Sequence, residues 1–121
     1  AERFPELSIH LIPAPGLVEQ IEAGRENDPE TRELLETLLL PYKDKLDALV
    51  LGCTHYPFAA EQIRSILGAD TLLMDGGEGT ARQTMRSLEA ADLLHDGPGS
   101  VQIENSSGDA RLIQLSAQLL G

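Results

Sequence analysis

Leu49-Val50-Leu51-Gly52-Cys53-Thr54-His55-Tyr56-Pro57 is a short apolar run that stops at a glycine and at the chain's one cysteine. A histidine follows two residues later, and Pro57 can open a helix. The run Asp47–Gly52 is short, aliphatic and bounded by polar residues, which predicts a strand buried on both faces. A thiol at the carboxyl end of such a strand stands where open α/β sheets bind ligands.

Working outward, apolar runs and helical stripes alternate. Ser8–Ile12 predicts a short strand and Pro13-Ala14-Pro15-Gly16 a loop. Leu17–Ala23 predicts a short helix closed by Gly24. Asp28-Pro29 marks a second helix start, and Leu34, Leu35, Leu38 and Leu39 form its apolar stripe up to Pro41. Pro57–Leu67 predicts a helix that offers Phe58, Ile63, Ile66 and Leu67 to a core and stops at Gly68. Thr71–Asp75 predicts another buried strand, followed by a Gly76-Gly77 turn and a helix over Glu78–Leu93. Gly97–Ser100 is a turn, Val101–Asn105 alternates like a half-exposed strand, and Ser107-Gly108-Asp109 opens a last helix carrying Leu112, Leu115 and Leu119. The predicted class is α/β: a mostly parallel sheet with flanking helices.

Composition narrows the function. At 121 residues the chain is long enough for one core, and with 41% hydrophobic but only 3% aromatic residues that core must be aliphatic. A formal net charge of -11, with no Lys/Arg cluster, argues against nucleic acid and against anionic membrane surfaces. An anionic ligand would have to be held by backbone N–H groups and helix ends. A lone cysteine excludes an internal disulfide and fits a reducing compartment. No apolar run approaches the roughly 18–20 residues of a membrane span, and no signal peptide pattern opens the chain, so the expectation is a soluble cytoplasmic protein. The start at Ala1 rather than Met implies a trimmed start or a cut inside a longer protein.

The helix predicted after Cys53 directs its N–H groups and the positive end of its dipole toward the strand end, an environment that favours thiolate over thiol. His55 is near enough to orient the thiol or relay a proton. Lone cysteines are also common as inert core residues, and a single loop histidine more often has a local hydrogen bond than a catalytic task. One cysteine and three scattered histidines give no metal-ligand spacing. A cysteine-based redox or hydrolytic enzyme would need a resolving cysteine or a downstream histidine, for which His95 is the one candidate.

Gly52-Cys53-Thr54-His55-Tyr56-Pro57 resembles the second cysteine motif of glutamate racemases, within the aspartate/glutamate racemase superfamily. Pro15–Gly24, Leu73–Ala81 and Ser106–Asp109 with Leu119–Gly121 resemble further segments of that family in the same order. The resemblance implies cofactor-independent interconversion of L- and D-glutamate, with D-glutamate supplied to peptidoglycan synthesis and so to cell wall biogenesis and cell shape. It implies two cysteines on opposite sides of the substrate, one removing the Cα proton and one donating a proton to the other face. Inversion at carbon requires an acid and a base on different faces. By this match Cys53 is one of the two, His55 its assistant, Glu22 an acid that supports His55 or the substrate ammonium, and Thr54 a substrate-binding residue. Asp75 reads instead as a cap for the glycine turn.

The same resemblance implies that the chain is the C-terminal half of a two-domain enzyme whose other half carries the second cysteine. Residues 1–84 would belong to the second α/β domain, incomplete at its N-terminus. Residues 85–121 would be a helix-strand-helix segment that completes the missing first domain. The expected partners are glutamate, the missing N-terminal half, and a homo-oligomer that covers exposed surface such as the edge at Val101–Ile103. The alternative is a catalytically incomplete α/β fragment or amino-acid-binding module.

Overall fold

The structure, a computed structural model, describes residues 5–120. The start at Ala1 and the closing Gly121 lie outside the described residues. Helix α1 spans Leu17–Glu22 and α2 spans Pro29–Leu39, followed by a 3-10 turn over Leu40–Tyr42. Strand β1 is Ala48–Val50, a 3-10 turn covers Tyr56–Ala59, and α3 is Ala60–Leu67. Strand β2 is Leu72–Met74, α4 is Gly77–Ala90 and α5 is Ala110–Leu120.

β1 and β2 pair in parallel, Ala48 with Leu72, Leu49 with Leu73 and Val50 with Met74. The link between them is the 3-10 turn and α3, a helical crossover of the kind parallel pairing requires. Beyond the paired residues, the Leu51 N–H still donates to the Met74 carbonyl at 2.8 Å, carrying the register to the threshold of Cys53.

The core lies on one side of this sheet. Leu17 and Ile21 of α1, Leu35 and Leu39 of α2, Leu51, Ala59, and Ile63, Ile66 and Leu67 of α3 are buried together. Each large member contributes about 1.5–3 kcal/mol by leaving water. Gly24 ends α1 with φ +68° and Gly68 ends α3 with φ +92°, backbone conformations that glycine adopts without a Cβ penalty. Pro29 sits in the first turn of α2 behind Asp28, whose carbonyl accepts from the Arg32 N–H. Buried Thr31 donates its hydroxyl to the Arg25 carbonyl at 2.7 Å, and Gln62 donates to the Glu26 carbonyl at 2.6 Å, so the loop between α1 and α2 is tied to α2 and to α3.

Several expectations change. Ser8–Ile12 and Val101–Asn105 form no strands. A strand exists only where a neighbour takes its backbone N–H and C=O groups, and neither segment has one among the described residues. Leu11 and Val101 are accordingly 89% and 83% exposed. β1 and β2 are buried on one face only, with Leu49 and Leu73 turned to the core and Val50, Leu72 and Met74 open to solvent. Phe58, expected in the core, is exposed, because residues 56–59 wind as a tighter 3-10 turn that carries its side chain off the α3 stripe. α4 begins at Gly77 and ends at Ala90, with Asp92 in the left-handed region at φ 54°, and none of its residues is buried.

Candidate active site at the end of the first strand

The site forms where β1 runs out. Leu51 is still held by β2, and the next residues turn sharply. The Cys53 carbonyl accepts from the Tyr56 N–H at 3.3 Å and the His55 carbonyl from the Phe58 N–H at 3.1 Å, so the backbone that carries both side chains is fixed by its own turn. Cys53 and His55 are half-buried, and Glu22 and Thr54 are exposed.

His55 links the candidate residues. Its Nε2 lies 3.2 Å from Glu22 Oε1, at the end of α1, and its Nδ1 lies 3.9 Å from Cys53 Sγ and 3.4 Å from Thr54 Oγ1. An ionised carboxylate can only accept, so the proton in the Glu22 contact sits on Nε2. In the neutral imidazole, Nδ1 then presents a lone pair toward the thiol and the Thr54 hydroxyl. The order carboxylate, imidazole, thiol matches the arrangement by which enzymes activate a cysteine or move its proton. The structure thus brings Glu22, His55, Cys53 and Thr54 together.

One local expectation changes. The free N–H groups were expected from the helix after Pro57, but Tyr56 and Phe58 spend theirs within the turn and Pro57 has none. The N–H groups of Cys53, Thr54 and His55 make no hydrogen bond among the described residues. The donors for an anion therefore lie upstream, on the motif itself. Asp75 accepts from the Gly77 N–H at 2.7 Å and caps the glycine turn.

The sequence reading missed the neighbourhood of Glu22. A cleft between α1 and α5 is lined by Glu22, Gly24, Asp109, Arg111, Leu115 and Gln118, and it meets the site through Glu22 alone. The Arg111 guanidinium hydrogen-bonded to Asp109 holds that carboxyl below the ordinary carboxylate range, and Asp109 raises Arg111 in return. The adjacent polar residues of the Asp109 turn were legible only as a helix start. Cys53 does not line this cleft. Among the described residues no group of three or more His, Cys, Asp or Glu side chains is placed to hold a metal ion. No helix among them is long and apolar enough to cross a membrane.

Comparison with known proteins identifies relatives. No family model matches the chain. A glutamate racemase of Clostridium perfringens is 39% identical over 90% of this chain and 43% of its own length. One from Clostridium kluyveri is 38% identical over 98% of this chain and 48% of its own. In structure, glutamate racemase from Thermus thermophilus, in complex with β-chloro-D-alanine, superposes with a TM-score of 0.70 at 30% identity, over 85% of this chain and 41% of that one. Isoform RacE1 of the Bacillus anthracis enzyme gives 0.64 at 31% identity, over 79% and 36%. The chain spans about half the length of the curated relatives it matches or less. Over nearly its whole length, this chain is homologous to about half of a glutamate racemase.

Proposed function

We propose that this chain is the C-terminal half of a glutamate racemase and carries one of the two cysteines that move the Cα proton. The observation that carries the proposal is the Glu22–His55–Cys53 line at a parallel strand end, in a chain homologous to glutamate racemases. In this reading Cys53, as thiolate, removes the Cα proton of glutamate. The carbon becomes planar, and a thiol on the opposite face, from the half this chain does not match, returns a proton to give the inverted amino acid. Each turnover moves one proton out on one side and one in on the other, so no cofactor is consumed.

The remaining residues serve that transfer. The proton on His55 Nε2 is held by Glu22, which leaves Nδ1 to exchange a proton with Cys53 between turnovers. The N–H groups of Cys53, Thr54 and His55 and the Thr54 hydroxyl suit a substrate carboxylate in an otherwise acidic chain. The analogue in the Thermus thermophilus complex is itself an α-amino acid, in keeping with an amino-acid site. D-glutamate made this way would feed peptidoglycan in the cytoplasm. With Cys53 as its single cysteine, the chain alone is expected not to racemise.

The test co-expresses the chain with the part of the Clostridium perfringens enzyme left outside the match, then incubates the mixture with L-glutamate in heavy water. Deuterium is expected at Cα of the recovered glutamate, together with D-glutamate, and both vanish in Cys53→Ala. Undiminished exchange in that variant, or none with the wild-type chain, sinks the proposal.

A further inference from the structure

The outer face of the sheet has no cover. Along β1 and its extension, Ala48, Val50 and Gly52 are exposed while Leu49 and Leu51 turn inward, and along β2 Leu72 and Met74 are exposed while Leu73 turns inward. The register sets Ala48 beside Leu72 and Val50 beside Met74, so these residues form one uncharged apolar patch that ends beside Cys53. Val50 is 68%, Leu72 59% and Met74 47% exposed. Parallel sheets occur almost only with both faces covered, yet the β1–β2 crossover lies on the core side and α4, which leaves β2, buries none of its residues. Gly52 adds a second sign. A Cβ there would meet nothing within 4 Å, and its backbone is not among the positive-φ glycines. Nothing within the described residues calls for glycine at that point, and a glycine in a strand often marks close approach of another backbone or a ligand.

We infer that the patch of Val50, Leu72 and Met74, with Gly52 at its catalytic end, is the docking surface for a helical layer of the racemase portion that this chain does not match. This rests on the proposed function. The occupant follows from length, since the relatives extend for more than their matched 43–48%, and from chemistry, since an uncharged aliphatic patch selects an apolar helix face rather than a charged ligand. Docking there would also bring the covering layer to the edge of the Cys53 site.

The experiment co-expresses tagged chain with the unmatched part of the Clostridium perfringens enzyme and measures the purified complex by native mass spectrometry and titration. A one-to-one complex is expected. Val50→Asp and, separately, Leu72→Lys should weaken it at least tenfold while leaving the circular dichroism and melting of the chain alone unchanged, because both side chains are already exposed. Glu33→Lys, an exposed position on α2, should leave the complex intact. Absence of a complex, or one indifferent to both patch variants, overturns the inference. So does a homodimer of the chain that these variants dissociate, since the face would then belong to a second copy. An intact, patch-dependent complex without deuterium transfer leaves the docking surface standing and sinks the proposed chemistry alone.

Discussion

Ile21→Ala tests whether the site is positioned by the core. α1 has only six residues, too few to hold as a helix in water, so it stays helical because Leu17 and Ile21 are anchored among α2 and α3. Ile21 is 0% exposed, and the next residue is Glu22, whose carboxylate meets His55. Truncation removes carbon groups worth about 0.8 kcal/mol each, roughly 2.4 kcal/mol for three, and an unfilled cavity adds to this. The expected loss is about 3 kcal/mol, within the usual range for isoleucine to alanine in a core. A chain of this size commonly holds about 6 kcal/mol at the low end, so one substitution would remove about half. In urea, with m near 1.5 kcal/mol/M, the midpoint should fall by about 2 M with the slope unchanged. The Glu22–His55 contact should loosen with it, visible as a change in the His55 ring resonances before global unfolding. A midpoint shift under about 0.5 M would refute the claim that Ile21 anchors α1. Ile9→Ala, on the exposed N-terminal segment, is the control and should stay within about 0.5 kcal/mol.

Both helix-ending glycines should respond through backbone conformation. Gly68→Ala meets no neighbour within 4 Å but takes on a backbone at φ +92° and ψ 174°, so a loss of about 1–3 kcal/mol from conformation alone is expected in thermal melts. Gly24→Ala brings its Cβ into ordinary contact with Leu115 at 3.4 Å, so only the left-handed backbone at φ +68° should cost, about 1–2 kcal/mol, with amide exchange in α5 unchanged. Asp109 is held below the ordinary carboxylate range by its hydrogen bond to Arg111, so its contribution is present above the unfolded value near ~3.9 and is lost as pH falls through the lower folded value. Arg111→Met should bring its NMR titration midpoint back up, and an unchanged midpoint would refute the pairing.

The elements that could be read directly were those whose punctuation is local. Asp28-Pro29, Gly24 and Gly68 bound helices within a residue or so, and the runs 47–52 and 71–75 gave both strands, because start and stop signals act on neighbouring residues. Ser8–Ile12 and Val101–Asn105 carry equally good strand patterns, but pattern does not supply a hydrogen-bonding neighbour. The burial of Thr31 and Gln62 is not visible in the sequence, since it depends on carbonyls of the α1–α2 loop that become partners only once the chain is folded. At the site, Cys53, Thr54 and His55 are close because they share one turn, which adjacency makes legible. Glu22 came only from the family resemblance, since nothing in an exposed helix carboxylate announces a histidine that another element delivers to it.

The unpaired strand patterns, the exposed face of Val50, Leu72 and Met74, and the lone Cys53 of the proposed two-cysteine site share one physical character. Each is a surface whose chemistry demands a partner: backbone groups need a ladder, aliphatic side chains need cover, and inversion at carbon needs a second proton carrier. Were the chain a self-sufficient binding module, the exposed face of Val50, Leu72 and Met74 would have no reason to end beside Cys53. Beneath the sheet the aliphatics of α1, α2 and α3 cover one another, and the buried hydroxyls of Thr31 and Thr71 find carbonyls. An apolar side that is covered and one that is not, divided by a two-stranded sheet, is what a racemase half would present if the catalytic thiol sat on the boundary between the halves. The same layout sets the order in which activity and stability should fail. Changes beneath the sheet should unfold the chain, whereas changes on its outer face should leave the chain folded and remove only what it does with a partner.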